Sequence, residues 1–315
     1  MGKVLAIGEA FIDFIEDHDQ QPPHYIPHFG GAPANVALAV KALGTKSQLI
    51  AQVGNDVFGH LIEKRLEAVG VDTCSLLKTD AANTALAFVS ITQEKERDFT
   101  FYRSDTADLL LSDRSLDERW FQADDILHFC SVSLVAAPCK KAHEKAIELM
   151  RKKGGLISFD VNVRLALWPD KKALKVAILE FMEQTDILKL SLEELHFLTD
   201  IKNEKDAVNH LFRGTIKVIF ISKGKDGATV YTKTGIIDMP GVNVKTVDTT
   251  GAGDVFIASI LKQILNRGHH IEAYEPEDWR HILKYANTVA ALTTTKKGAT
   301  EALYDAALLK EYLDQ

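Results

Sequence analysis

The feature that most constrains this chain is its rhythm of short, unbroken apolar runs. VLAIGEA (4–10), SQLIAQV (47–53), DILHFC (125–130), GLISFDV (155–161), DILKL (186–190) and KVIFIS (217–222) have the length and continuity of strands buried on both faces. Helical patterns lie between them. One runs from Ala34 to Leu43, after Pro33 and before Gly44; another sets Phe58, Leu61, Leu66 and Val69 on one stripe ahead of Gly70. Proline early and glycine late is the asymmetry expected of helices. The alternation predicts an α/β fold, a doubly wound, mostly parallel sheet with helices on both faces. Two stretches break the rhythm, residues 11–32 with Pro22, Pro23 and Pro27, and residues 84–105. In the second, TALAFVSIT (84–92) and RDFTFYR (97–103) alternate like an antiparallel hairpin, with Arg97, Phe99, Phe101 and Arg103 on one face. Together they predict a small antiparallel β lid inserted in a single domain spanning 1–315, since no repeat or low-complexity linker divides the chain.

Composition narrows the partners. With 37 basic and 44 acidic residues the net charge is −7, which argues against a nucleic-acid or anionic-membrane surface. Cys74, Cys130 and Cys139 form no C-x-x-C pair and no zinc pattern, so a reduced, cytoplasmic setting is expected. Glu9 and Asp13 interrupt the apolar start, so no signal peptide is expected. No apolar run approaches the ~20 residues a membrane-spanning helix needs.

The chemistry concentrates in DTTGAGDVFIASI (248–260). Gly251 and Gly253 form a turn without side chains, and Phe256, Ile257, Ile260, Leu261 and Ile264 then follow helical spacing. Such a turn feeds a helix N-terminus, whose free N–H groups and positive dipole end attract an anion. Asp254 stands at the same helix start. An anion hole beside a carboxylate suits phosphoryl transfer to a hydroxyl: the amides take charge on the transferred oxygens and the acid takes the proton. Taken alone, the same residues also read as a capped helix after a tight turn. The second segment is GGAPANVALAVKALG (30–44), where paired glycines admit a ligand to the backbone and Asn35 lies one turn into a helix. It reads equally as a glycine loop with a polar helix position. No G-x-x-x-x-G-K-[ST], no H-R-D or D-F-G and no complete dinucleotide fingerprint is present, which excludes P-loop proteins, protein kinases and NAD-dependent dehydrogenases.

In combination these segments carry a resemblance. GEAFIDF (8–14), FGGAPANVALAVKALG (29–44), TALAFVSI (84–91), FTFYRSDTADLLL (99–111), FDVNVRLALWPD (159–170), ILKLSLEELHFLT (187–199), VDTTGAGDVFIASIL (247–261) and ANTVAALTTTKKGA (286–299) fall in one order over essentially the whole chain. The chain resembles the ribokinase-like (PfkB) carbohydrate kinases, and within them the fructokinase branch.

That resemblance implies an enzyme that phosphorylates D-fructose to fructose 6-phosphate with Mg-ATP. It makes Asp254 the general base and Gly251, Ala252 and Gly253 the anion hole. It assigns Asp13, Gly30, Gly31 and Asn35 to the sugar, puts Arg103 and Arg164 near it, and makes Phe99 and Phe101 its wall on the lid side. Lys189, Glu194, Lys223, Gly224, Gly227 and Asn287 match nucleotide positions, with Glu194 acting on Mg²⁺ through water. The family's N-x-x-E reads Ser191-Leu192-Glu193-Glu194 here, with serine in place of asparagine. Asp248, Thr250 and Gly298 match a loop where relatives bind K⁺, although GATEALY (298–304) lacks the proline common there. Related lids pair between subunits, which implies a homodimer. Two alternatives stand beside fructokinase. A 2-keto-3-deoxygluconate kinase would share Asn162-Val163-Arg164 and Leu167-Trp168; a sugar-binding regulator would keep the pocket without turnover.

Overall fold

A computed structural model describes residues 2–17, 24–91, 97–305 and 309–310, apart from the side chains of 91 and 97–99. In chain order the strands and helices are β1 (Val4–Ile7), β2 (Phe11–Asp17), β3 (His24–Gly30), α1 (Ala32–Ala42), β4 (Ser47–Gly54), α2 (Val57–Val69), β5 (Leu76–Thr79), β6 (Leu86–Ile91) and β7 (Arg97–Tyr102). There follow β8 (Ile126–Cys130), α3 (Pro138–Lys153), β9 (Leu156–Asp160), α4 (Lys171–Met182), β10 (Ile187–Ser191), α5 (Leu192–Thr199) and α6 (Glu204–Leu211). The chain closes with β11 (Val218–Ser222), β12 (Ala228–Thr232), β13 (Ile236–Met239), α7 (Ala252–Arg267) and α8 (Pro276–Thr293).

Nine of these strands form one sheet in the order β13-β12-β11-β10-β9-β8-β1-β4-β5. It is parallel except at β12 and β13. Its strands are apolar throughout because both faces are covered. Leu5 and Ile7 of β1 point into the core beneath α3–α6, whereas Val4 joins the core beneath α1, α7 and α8. On that second side α2 packs with α1 over Ala6, Leu49, Ala51 and Val53.

The helix boundaries follow local chemistry. Gly31 opens α1 with Pro33 in its first turn, and Gly44 adopts a left-handed conformation just past its end. Asp56 caps α2 by accepting the amides of Phe58 and Gly59, and left-handed Gly70 stops it. The lid is a second sheet in the order β3-β2-β6-β7, antiparallel except between β2 and β6. Residues 18–23, between β2 and β3, and 92–96, between β6 and β7, lie outside the described residues. Three strands were not anticipated from the sequence: β5 at one edge of the main sheet and the β12–β13 hairpin at the other. Among the described residues no helix is long and apolar enough to cross a membrane.

Candidate active site

The carboxyl ends of β1, β9, β10 and β11 open under the lid and beside the start of α7, which is where open α/β sheets bind ligands. A cavity of about 920 Å³ lies there. Of the residues singled out in the sequence, Asp13, Gly31, Asn35, Phe101, Arg164, Lys189, Glu194, Lys223, Gly224, Thr250, Gly251, Gly253 and Asp254 line it.

Its centre joins two distant helices. Asn35 Nδ2 in the first turn of α1 donates to Asp254 Oδ2 in the first turn of α7 at 2.9 Å. Asp254 is partly exposed to the cleft. Burial holds its carboxyl above the ordinary range, against the Asn35 hydrogen bond and the charges of Arg164 and Lys189. Asn35 is 6 % exposed, and its Oδ1 is buried with no partner among the described residues.

The glycine turn beside this pair is shaped by crowding. Gly251 caps α7 at φ 73°, and a Cβ there would fall 2.5 Å from the Ala299 side chain. A Cβ on Gly253 would lie 3.2 Å from Lys189 Nζ, so the lysine ammonium stands over the turn. The amide of Ala252 points elsewhere: it donates to the Thr249 carbonyl at 3.3 Å, and Ala252 does not line the cavity. Of the three expected anion-hole residues, Gly251 and Gly253 therefore face the cleft.

Lys189 is buried midway along β10, where both Asp160 oxygens accept from its ammonium at 3.0 and 2.9 Å. Burial works against that charge, yet Asp160 and Glu194 hold Lys189 above the usual lysine range. Burial likewise pushes the Asp160 carboxyl up to about 7, although Lys189 pulls it down. Glu194 completes a capping box at the start of α5: its Oε2 accepts the Ser191 amide at 2.7 Å while Ser191 Oγ accepts the Glu194 amide. Its Oε1 accepts the Val163 amide, also at 2.7 Å. Ser191 thus fills the asparagine position by capping the helix itself.

At the lid end, Asp13 lines the cavity from β2 and Gly30 makes room for it, since a Cβ there would fall 2.6 Å from Asp13 Oδ2. Phe101 meets Phe11 edge to face with ring centres 6.4 Å apart. The Phe99 side chain lies outside the described residues. Arg164 lies exposed on the opposite rim.

Several expected residues stand back from the cavity. Arg103 is buried beneath the lid, where its Nε donates to Asp108 at 2.7 Å and its Nη1 to the Val132 carbonyl. Asn287 donates to the carbonyls of Met239 and Pro240, and Gly227 packs against the same segment. Asp248 ties two loops together by accepting the amides of Thr250 at 2.8 Å and Gly298 at 3.0 Å. Glu9, Phe11, Asp160 and Asn162 line the cavity without having been assigned a role from the sequence. Asp160 and Asn162 had a signal: polar residues closing an apolar strand in D-x-N-x-R.

A doubly wound sheet, a small β lid and an acid beside a helix-opening glycine turn define a sugar phosphotransferase. Comparison with known proteins agrees. The description "pfkB family carbohydrate kinase" matches residues 1–306, and the chain belongs to that family. It is 37% identical over 308 residues to a probable fructokinase-3 of Arabidopsis thaliana, covering 96% of this chain and 88% of that one. The crystal structure of a Xylella fastidiosa fructokinase with bound ATP superposes with a TM-score of 0.92 at 29% identity, over 99% of this chain and 98% of the other. That of a Vibrio cholerae O395 fructokinase bound to fructose, ADP and calcium gives 0.89 at 33% identity, over 99% of each chain.

Proposed function

We propose that this protein transfers the γ-phosphoryl group of ATP to the 6-hydroxyl of D-fructose, giving fructose 6-phosphate and ADP. The observation that carries the reading is the Asn35–Asp254 bond at the mouth of the glycine turn, with Asn35 Oδ1 buried and unpartnered beside it. A buried acceptor without a donor costs about 1–3 kcal/mol. A sugar hydroxyl relieves that cost and presents its neighbouring hydroxyl oxygen to Asp254.

In the reaction the sugar O–H bond breaks and its proton passes to Asp254. The oxygen bonds to the γ-phosphorus as the bond from that phosphorus to the bridging oxygen breaks, and ADP leaves. The amides at Gly251 and Gly253 and the Lys189 ammonium meet the charge on the transferred oxygens. The transition state is loose, so a carboxylate is basic enough.

Among the described residues no group of three or more His, Cys, Asp or Glu is placed to hold a metal ion. Both Glu194 oxygens already accept backbone amides. This donor set fits an ion that arrives on the triphosphate and meets Glu194 through water. Mg²⁺ bound there would neutralise charge shared by the β- and γ-phosphates.

Fructose is favoured by the relatives' names and by the lining: Phe11 and Phe101 form an apolar wall, while Asp13 and Asn35 suit neutral hydroxyls. The lid face on which Tyr25 and Tyr102 are exposed, both packed edge to face on Phe88, is our choice for a homodimer contact. A coupled assay with Mg-ATP tests the substrate. Fructose is expected to give a much higher kcat/KM than ribose or 2-keto-3-deoxygluconate, and a preference for either of those defeats the assignment.

A further inference from the structure

Glu9 has no part in the transfer described above, yet it is 1 % exposed and borders the cavity. Its Oε1 accepts the Ala32 amide, which opens α1, at 3.2 Å. Its Oε2 accepts the Ser133 hydroxyl at 2.6 Å. Ser133 Oγ in turn accepts Arg103 Nη2 at 3.2 Å, and Arg103 follows directly on β7 of the lid. At the other end, α1 passes from Ala32 to Asn35, whose amide donates to the Gly31 carbonyl at 2.8 Å and whose side chain holds Asp254. A continuous run of bonds therefore links a lid strand to the acid at the reacting end of the cleft.

We propose that Glu9 and Arg103 are positioning residues that couple the placement of the lid to the Asn35–Asp254 pair, with Ser133 as the link. The inference rests on Asp254 being the group that meets the acceptor hydroxyl. The physical reason for the coupling is charge balance in a dry setting. Arg103 is the cation beside two buried acids, Glu9 and Asp108, and burial already pushes the Glu9 carboxyl upward. Removing the guanidinium leaves two anions facing each other without compensation. Glu9 then takes up a proton and weakens as an acceptor for Ser133 and Ala32, which loosens the first turn of α1 at a distance from the substitution.

Two measurements on the full chain test this. The first is hydrogen exchange of the unliganded protein, followed in peptides covering residues 31–36. Arg103→Met and Glu9→Gln are each expected to raise exchange there, and the double variant to raise it no further than the worse single one. Because no sugar is present, this result stands whether or not fructose is the substrate. The second is kinetics with whichever sugar the wild type phosphorylates. Each single variant is expected to raise the sugar KM by roughly tenfold and to leave the ATP KM within about twofold, with a non-additive double variant. Exchange at 31–36 that stays at the wild-type level in Arg103→Met overturns the proposal. So do fully additive losses, the result expected if Arg103 touched the sugar directly. Should Arg103→Met fail to fold, Ser133→Ala breaks the same link with a smaller change, and unaltered exchange at 31–36 in that variant overturns the proposal equally.

Discussion

The two ends of the cleft are built on different principles. At the acceptor end Arg103, Ser133, Glu9 and Asn35 are buried, and hydrogen bonds run from Arg103 through Ser133 and Glu9 to the Ala32 amide that opens α1, and from Asn35 to Asp254. At the rim formed after β11 the groups are exposed or committed elsewhere. Lys223 Nζ pairs with Glu204 at 3.1 Å and Asp238 at 3.3 Å, and Asn287 supports the backbone at 239–240. The first end is preorganised, because each side chain is fixed by neighbours before any ligand arrives. The second offers mainly backbone and shape. Substitutions at the first end should therefore be felt in turnover or in sugar affinity, and those at the second weakly and mostly in nucleotide affinity.

The largest expected effect is at Asp254. Asp254→Asn keeps the shape and removes the proton acceptor, so kcat should fall on the order of 10³-fold or more with the fold intact. A coupled assay beside a thermal melt checks both halves. Near-normal turnover in a folded variant would remove the base from the mechanism and erase the contrast between the two ends.

Next come the neighbours that shape Asp254. In Asn35→Ala the hydrogen bond that favours the ionised carboxylate is lost, while the burial that raises the carboxyl remains. The acid therefore titrates at higher pH in the variant. The acidic limb of the kcat/KM profile, which reports the free enzyme, should move to higher pH, with kcat/KM for the sugar down by about 10- to 100-fold. A limb that stays in place, or moves to lower pH, contradicts the pairing as the source of the control. Gly253→Ala probes the same spot from the anion side. Its methyl would press on the Lys189 ammonium, and kcat should fall roughly tenfold while the sugar KM changes little, as steady-state kinetics would reveal.

How much of this was legible in the sequence follows from the same contrast. The buried parallel strands announced themselves because a strand covered on both faces must be apolar at every position, as in β4, where all eight residues are buried. Edge strands carry no such demand. β5 mixes buried Leu76 with exposed Lys78, and β13 sets buried Ile237 between exposed Ile236 and Asp238, so neither reads as a continuous run. The G-A-G-D turn and Asn35 were legible because a local pattern, glycines ahead of a helical stripe, already fixes what they present to a ligand. Glu9 was not, because its role is created by partners such as Ser133, which lies 124 residues away. Arg103 shows where pattern stops governing. Alternation along RDFTFYR puts it on the face of Phe101, and Phe101 does line the cavity. The strand ends at Tyr102, however, so the next side chain no longer obeys the pleat and turns inward to Asp108. Resemblance placed Arg103 near the sugar; burial and ion pairing place it beneath the lid.

The smallest expected effect is also the sharpest test of the contrast. Lys223 lines the cavity, which invites a direct role in holding phosphates. Its ammonium, however, is already shared between two carboxylates, one of them, Asp238, itself mostly exposed. A half-buried lysine already shared between such neighbours has little charge left to offer a phosphate, and ion pairs open to water on one side are readily screened by salt. Lys223→Ala should therefore raise the ATP KM by no more than about threefold, with kcat and the sugar KM unchanged, an effect worth less than about 1 kcal/mol. A loss of turnover approaching that of Gly253→Ala would mean that Lys223 leaves Glu204 and Asp238 when nucleotide binds and works on the transferred group. The rim would then be a switched part of the machinery, assembled by the ligand, while the acceptor end stands ready without it.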